Sequence, residues 1–284
     1  MKKSILTIAI ALVFLVGLGV LLYPYVADWY NNRQQQIAVA DFIREIQAMD
    51  ETDFSEYFAR AQEYNEALLQ NPGRFTKTEE ERESYMQLLN PLGTGVMGIL
   101  LIDKIDVRLP IYHGTREAVL QVGAGHLEGT SLPIGGLDTH TAISGHRGLP
   151  SSTLLTNLDQ MEPGDTFTLQ ILNRILTYKV DDIIIVEPHE LEALAIYPGM
   201  DRATLVTCHP YGINSHRMLV RAIRTENPEI PSEEQAPHEE ERPHYVTQTS
   251  RDYIFELILL AAGLLTVILV VTLLKGKKRR GKKR

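Results

Sequence analysis

The 284-residue chain contains one cysteine, and the residues around it make it a candidate nucleophile. Cys208 closes the run Thr204-Leu205-Val206-Thr207-Cys208, which reads as a β-strand, and Pro210 and Gly212 force a turn after it. The chain then returns through His216-Arg217-Met218-Leu219-Val220. Such a hairpin sets Arg217, nine residues on, close to Cys208. A guanidinium beside a thiol favours the thiolate. It can equally donate to a substrate carbonyl or an oxyanion. The third group is His146, where the run Thr141-Ala142-Ile143-Ser144-Gly145 ends in a glycine-flanked turn. An imidazole there can protonate a leaving amine and deprotonate an incoming one. Together His146, Cys208 and Arg217 make an acyl-transfer set, with the thiol at a strand end, rigid yet reachable.

Each of these residues also has a plainer reading: a small buried hydrophobe for the cysteine, a turn histidine, a surface ion-pair partner for the arginine. The combination argues against it. His209 and His216 add two more imidazoles near the thiol, but no second cysteine or paired-histidine spacing accompanies them, so no metal site is expected. His209 is expected to face solvent. Gly123, Gly125 and Gly129 lack dinucleotide-loop spacing and read as turns. No phosphate-binding loop and no Gly-x-Ser-x-Gly motif occur. In papain-like proteases the cysteine precedes the histidine; here His146 precedes Cys208.

The elements that must position these groups are mostly strands. Short β-type runs follow from Gly98 onward: 99–102, 107–112, 141–145, 166–172, 176–186, 203–208 and 218–223. Gly and Pro breaks separate them, which predicts an all-β sandwich or barrel. Short helices fit at 115–121 and 152–161. Ahead of the strands, Ile37, Val39, Phe42, Ile43 and Ile46, then Phe58, Ala61, Tyr64 and Leu68, recur at helical spacing. They predict a two-helix extension over 25–72, broken near Asp50–Asp53. Residues 73–91 read as a loop, 92–225 as the β domain, and 226–250 as an acidic Pro/Glu-rich linker.

Two apolar blocks flank this soluble middle. Residues 1–24 read as an uncleaved transmembrane anchor, with a signal peptide as the alternative. Residues 251–274 read as a second span, followed by a basic tail over 275–284. Basic flanks stay cytoplasmic, so both termini are expected inside and the middle outside. The two tails carry ten of the 28 Lys and Arg residues, and residues 4–274 hold 18 Lys and Arg against 36 Asp and Glu. An outer domain this acidic does not suggest DNA or RNA binding. One cysteine cannot form an internal disulfide, and a lone thiol in an oxidising space points to use.

The pattern Thr204-Leu205-Val206-Thr207-Cys208, with Arg217 nine residues later, resembles the signature of the sortase family, and Gly145-His146-Arg147 is similar to its histidine region. The stretches Pro110-Ile111-Tyr112-His113-Gly114-Thr115 and Gly125-His126-Leu127-Glu128-Gly129-Thr130-Ser131-Leu132-Pro133 resemble the class C, pilin-polymerising branch, as does the second span. The resemblance implies a mainly β fold: a closed barrel of about eight strands with short helices, an N-terminal helical extension and flanking transmembrane helices. It also implies a transpeptidase on a Gram-positive cell surface. In that reaction a thiolate attacks the Thr–Gly bond of a Leu-Pro-x-Thr-Gly-like sorting signal, and an amine resolves the thioester. The amine would be a pilin lysine; a peptidoglycan amine is the alternative, and a non-catalytic surface assembly scaffold is the reading of another class. Residue by residue, the resemblance makes Cys208 the nucleophile, His146 the acid/base and Arg217 the carbonyl or oxyanion partner, with no cofactor. One departure is that the Asp-Pro-aromatic lid motif of the class C branch is missing. The matching loop reads Asn71-Pro72-Gly73-Arg74-Phe75-Thr76-Lys77, so a lid is expected to be absent or altered and the site more open.

Overall fold

The computed structural model describes residues 2–227. The expected linker, second span and basic tail lie outside the described residues. The chain divides near Trp29, and the unit that begins at Tyr30 carries the fold and the site.

The N-terminal apolar run and the first amphipathic run form one helix, α1 (Lys2–Ala48), with Pro24 inside it. It includes a stretch long and apolar enough to cross a membrane. The expected break follows, and α2 (Glu51–Leu69) begins just after it. Both helices turn their 3.6-period stripe to the barrel: Val39, Phe42, Ile46, Phe58 and Ala61 are buried in the main core. Asn65 secures α2 by exchanging two hydrogen bonds with the backbone of Leu132.

The barrel has eight strands: β1 (Val96–Ile102), β2 (Val107–His113), β3 (Ala124–His126), β4 (Thr139–Ser144), β5 (Thr166–Ile171), β6 (Arg174–Val186), β7 (Asp201–His209) and β8 (His216–Arg224). Their order, β1-β2-β3-β4-β7-β8-β6-β5, closes on itself. Seven strands fall where the apolar runs predict them. The eighth, β3, contains Gly125, which the sequence reading took for a turn. Glycine is needed there because a Cβ would stand 2.2 Å from the Gly114 carbonyl oxygen. Two neighbouring pairs, β2–β3 and β4–β7, run parallel.

Two further expectations fail. Residues 73–91 are not all loop: they contain α3 (Glu79–Met86), opened by a capping box between Thr78 and Glu81. Its Tyr85 is buried, and its hydroxyl takes the Gly114 N–H and donates to His126 Nδ1 at 2.8 Å. The helix expected over 152–161 is instead a string of turns ending in a 3-10 turn at Leu158–Gln160. Backbone bonds of the i→i−3 type and a left-handed Leu154 account for it. The short helix expected at 115–121 is present as α4 (Glu117–Leu120).

Candidate active site

Strand register brings the three candidate residues into one row. Cys208 on β7 pairs directly with Arg217 on β8. On the other side, β4 runs parallel to β7 with Ser144 opposite Val206. The Gly145 N–H still bonds the Val206 carbonyl, so two residues on His146 arrives beside Cys208. All three line one cleft of about 330 Å³.

The cleft lies on the outer face of the barrel. Side chains alternate along a strand, so Leu205 and Ala203 enter the main core while Val206 and Cys208 face outward. Ala142, Val206 and Leu219 form an apolar patch, and Leu194, from the 187–200 loop, covers it. This loop is pinned by His140, whose Nδ1–H donates to the Ala195 carbonyl at 2.8 Å while Nε2 accepts from the Thr204 hydroxyl at 2.7 Å. Burial pushes His140 down to about 4, which keeps it neutral in this arrangement.

The loop carrying His146 is held at several points. The buried Thr207 hydroxyl donates to the Gly145 carbonyl at 2.9 Å, and the Leu155 N–H bonds the His146 carbonyl. Gly145 has no room for a Cβ, which would meet Leu155 at 2.7 Å. Next along, Arg147 is nearly enclosed: it pairs with Asp159 at 2.5 Å and donates from Nε to the Thr156 carbonyl. Its Nη1 lies 3.4 Å from His209 Nδ1. His209 is therefore held against Arg147 and does not point freely to solvent as expected. It also pairs across the hairpin with His216.

His146 Nε2 sits 3.3 Å from Oε1 of Glu117 on α4, and the Gln121 amide donates to the same oxygen. These contacts, the amide first, hold the Glu117 carboxyl below the usual range. Arg217 spends Nη1 on the carbonyls of Asn214 and His216, which holds the guanidinium to its own hairpin, on the cleft that it shares with Cys208.

The segment that replaces the lid motif is docked at the flank of the cleft. Arg74 Nη2 donates to the Leu194 carbonyl, and Phe75 packs on the patch formed by Ala142, Val206 and Leu219. Among the described residues, none from 71 to 90 lines the cleft that holds Cys208.

The three residues named from the sequence, His146, Cys208 and Arg217, share one cleft, while Glu117, the Thr207 clamp and the His140 anchor were not named. Nothing in their local spacing marks them, because each acts through a partner distant in sequence.

A family model described as a sortase domain matches residues 100–225. Sortase C1 of Streptococcus agalactiae is 48% identical, with a TM-score of 0.65, and the similarity covers 67% of this chain and 99% of that one. The chain belongs to the sortase family. A second solved sortase C, from Streptococcus pneumoniae, is 41% identical, with a TM-score of 0.60 over 67% of this sortase and 97% of that chain. Among curated relatives, sortase A of Streptococcus agalactiae is 30% identical over 116 residues, 40% of this sortase and 47% of that relative, so the match spans about half of its length. The neighbours described as sortase C agree with the class C resemblance of the 110–133 motifs.

Proposed function

We propose that this sortase is a cysteine transpeptidase that joins pilin subunits. The observation that carries the reading is the row His146–Cys208–Arg217 at the end of an apolar cleft. In the first half-reaction the Cys208 thiolate attacks the threonine carbonyl carbon of a Leu-Pro-x-Thr-Gly-like signal. Arg217 steadies the oxygen as it gains charge. The C–N bond to glycine breaks, and the His146 imidazolium gives its proton to the departing amine. A thioester remains. In the second half an amine, a pilin lysine, attacks the thioester and passes a proton to His146. An amide forms and the thiolate is released.

The apolar side chains that line the cleft beside Cys208, among them Leu120, Leu127, Val206 and Leu219, suit an aliphatic residue of the signal. The acidic outer domain favours a cationic acceptor such as lysine. One of the pneumococcal sortase C structures is described in terms of pilin substrate specificity, which supports the pilin reading. We place the domain outside the cell, anchored by the N-terminal apolar helix and by a second span over 251–274, with both termini cytoplasmic. The segment over 73–91 is the lid equivalent, with Arg74 and Phe75 held beside the cleft and the thiol left accessible.

Incubation of the full chain in detergent with a Leu-Pro-x-Thr-Gly peptide tests this. Intact mass spectrometry should show an acyl adduct that Cys208→Ala abolishes, and a pilin domain supplying lysine should release it as a pilin–peptide amide. Release only by a peptidoglycan amine would assign the enzyme to cell-wall attachment, and no adduct would favour a scaffold. Labelling of Cys208 in intact cells by a membrane-impermeant maleimide tests the topology.

A further inference from the structure

We propose that Glu117 is a positioning residue that fixes the ring orientation and tautomer of His146; the inference rests on the acyl-transfer reading above. An imidazole that serves as acid in one half-reaction and base in the other must present the same nitrogen to the substrate amine each time. A turn residue with a partly exposed side chain, as His146 is, has no such preference built into its backbone. Glu117 supplies one. Its Oε1 lies 3.3 Å from Nε2, and a carboxylate oxygen can only accept, so Nε2 carries the hydrogen. In the neutral ring Nδ1 is then the basic nitrogen, and it is the one left to exchange protons with the substrate.

The carboxylate is itself held. Gln121, one helical turn on, donates to the same Oε1 at 3.1 Å, and its amide therefore sets the Glu117 rotamer. The α4 turn that carries both residues is fastened to the barrel: its Val119 carbonyl accepts the Gly123 N–H just before β3, and Leu120 lines the cleft. The contacts His146–Glu117–Gln121 thus link the imidazole to the α4 turn, as an acidic third member orients the base in other nucleophile–base systems.

The test uses the full chain in detergent with histidine labelled by nitrogen-15, the His146 signals being identified by their loss in His146→Asn. In the unsubstituted protein the ring nitrogens should show the Nε2–H form, and Glu117→Gln, which keeps an acceptor oxygen, should retain most of it. Glu117→Ala should yield a mixture of tautomers. With the Leu-Pro-x-Thr-Gly peptide, Glu117→Ala should lower kcat by about threefold to tenfold with KM unchanged, and Glu117→Gln should recover part of the loss. Unchanged tautomer populations in Glu117→Ala would overturn the proposal, as would equal kcat values in all three proteins. If the unsubstituted protein forms no acyl adduct, the transpeptidase reading falls, while the nitrogen-15 spectra still decide whether Glu117 orients the ring.

Discussion

The hydroxyl of Thr207 donates to the carbonyl of Gly145 at 2.9 Å, and so ties the strand that carries Cys208 to the loop that carries His146. The thiol and the imidazole are carried by the residues that directly follow Thr207 and Gly145, so this buried bond bears on how far apart they stand. Thr207→Val keeps the shape and removes the donor. It should cost about 1–2 kcal/mol in denaturant unfolding. It should lower kcat/KM for the peptide by about tenfold to a hundredfold, because small displacements of reacting groups are expensive. A variant with full activity would show that the bond serves stability alone.

Arg217 should not be replaceable by lysine. Its guanidinium uses one nitrogen on the Asn214 and His216 carbonyls and keeps the rest of its fork for the substrate. A lysine ammonium cannot do both. Arg217→Lys should reduce the acylation rate by about a hundredfold with little change in KM, read by single-turnover mass spectrometry. Wild-type rates would mean that only the charge matters.

Phe75 packs on the patch that includes Val206 and Leu219 and does not line the cleft that holds Cys208. Phe75→Ala should therefore leave the rate of Cys208 alkylation by iodoacetamide unchanged. A large increase would mean that the segment shields the thiol after all. Removing the whole of 71–90 is a poor test, because Tyr85, Leu88 and Leu89 belong to the main core.

Three buried histidines make stability depend on pH. Burial lowers His113 and pushes both His126 and His140 from 6.5 to about 4. Between these values the unfolded chain binds protons that the folded one refuses, so stability falls as pH drops from about 6.5 towards 4 and is fully present above that window. Each histidine contributes a slope of at most about 1.4 kcal/mol per pH unit. His140→Gln should flatten the pH dependence of unfolding between pH 4 and 6.5, measured by urea titration at several pH values. An unaltered slope would assign the effect to other groups.

Much of this site was legible because it is local. The turn residues Pro210 and Gly212 make Cys208 and Arg217 hairpin neighbours, and alternation puts them on one face. The position of His146 beside them was not legible from spacing, since it depends on the parallel β4–β7 pairing of segments some sixty residues apart. The strand β3 escaped notice because three residues, one a glycine, give no alternation to read. Helix α3 was hidden by its polarity, with Tyr85 as its one buried residue; the Thr78–Glu81 capping box was the signal available. Glu117 looked like any exposed carboxylate, and only the fold shows that it faces an imidazole.

The closed barrel decides how a guest peptide can be read. Every strand has a neighbour on each side, and where β3 is too short to cover β4, the amides of Leu127 and Ser131 bond the carbonyls of Ala142 and His140. Among the described residues, β4 and β7 therefore have partners on both sides where they lead to His146 and Cys208, so backbone capture as a strand added along β4 is closed off there. A peptide here must be gripped by its side chains. Discrimination among signals then resides in the walls of the cleft, above all in the 187–200 loop held by His140, and that loop could be exchanged to retarget the enzyme without disturbing the ladder beneath the thiol.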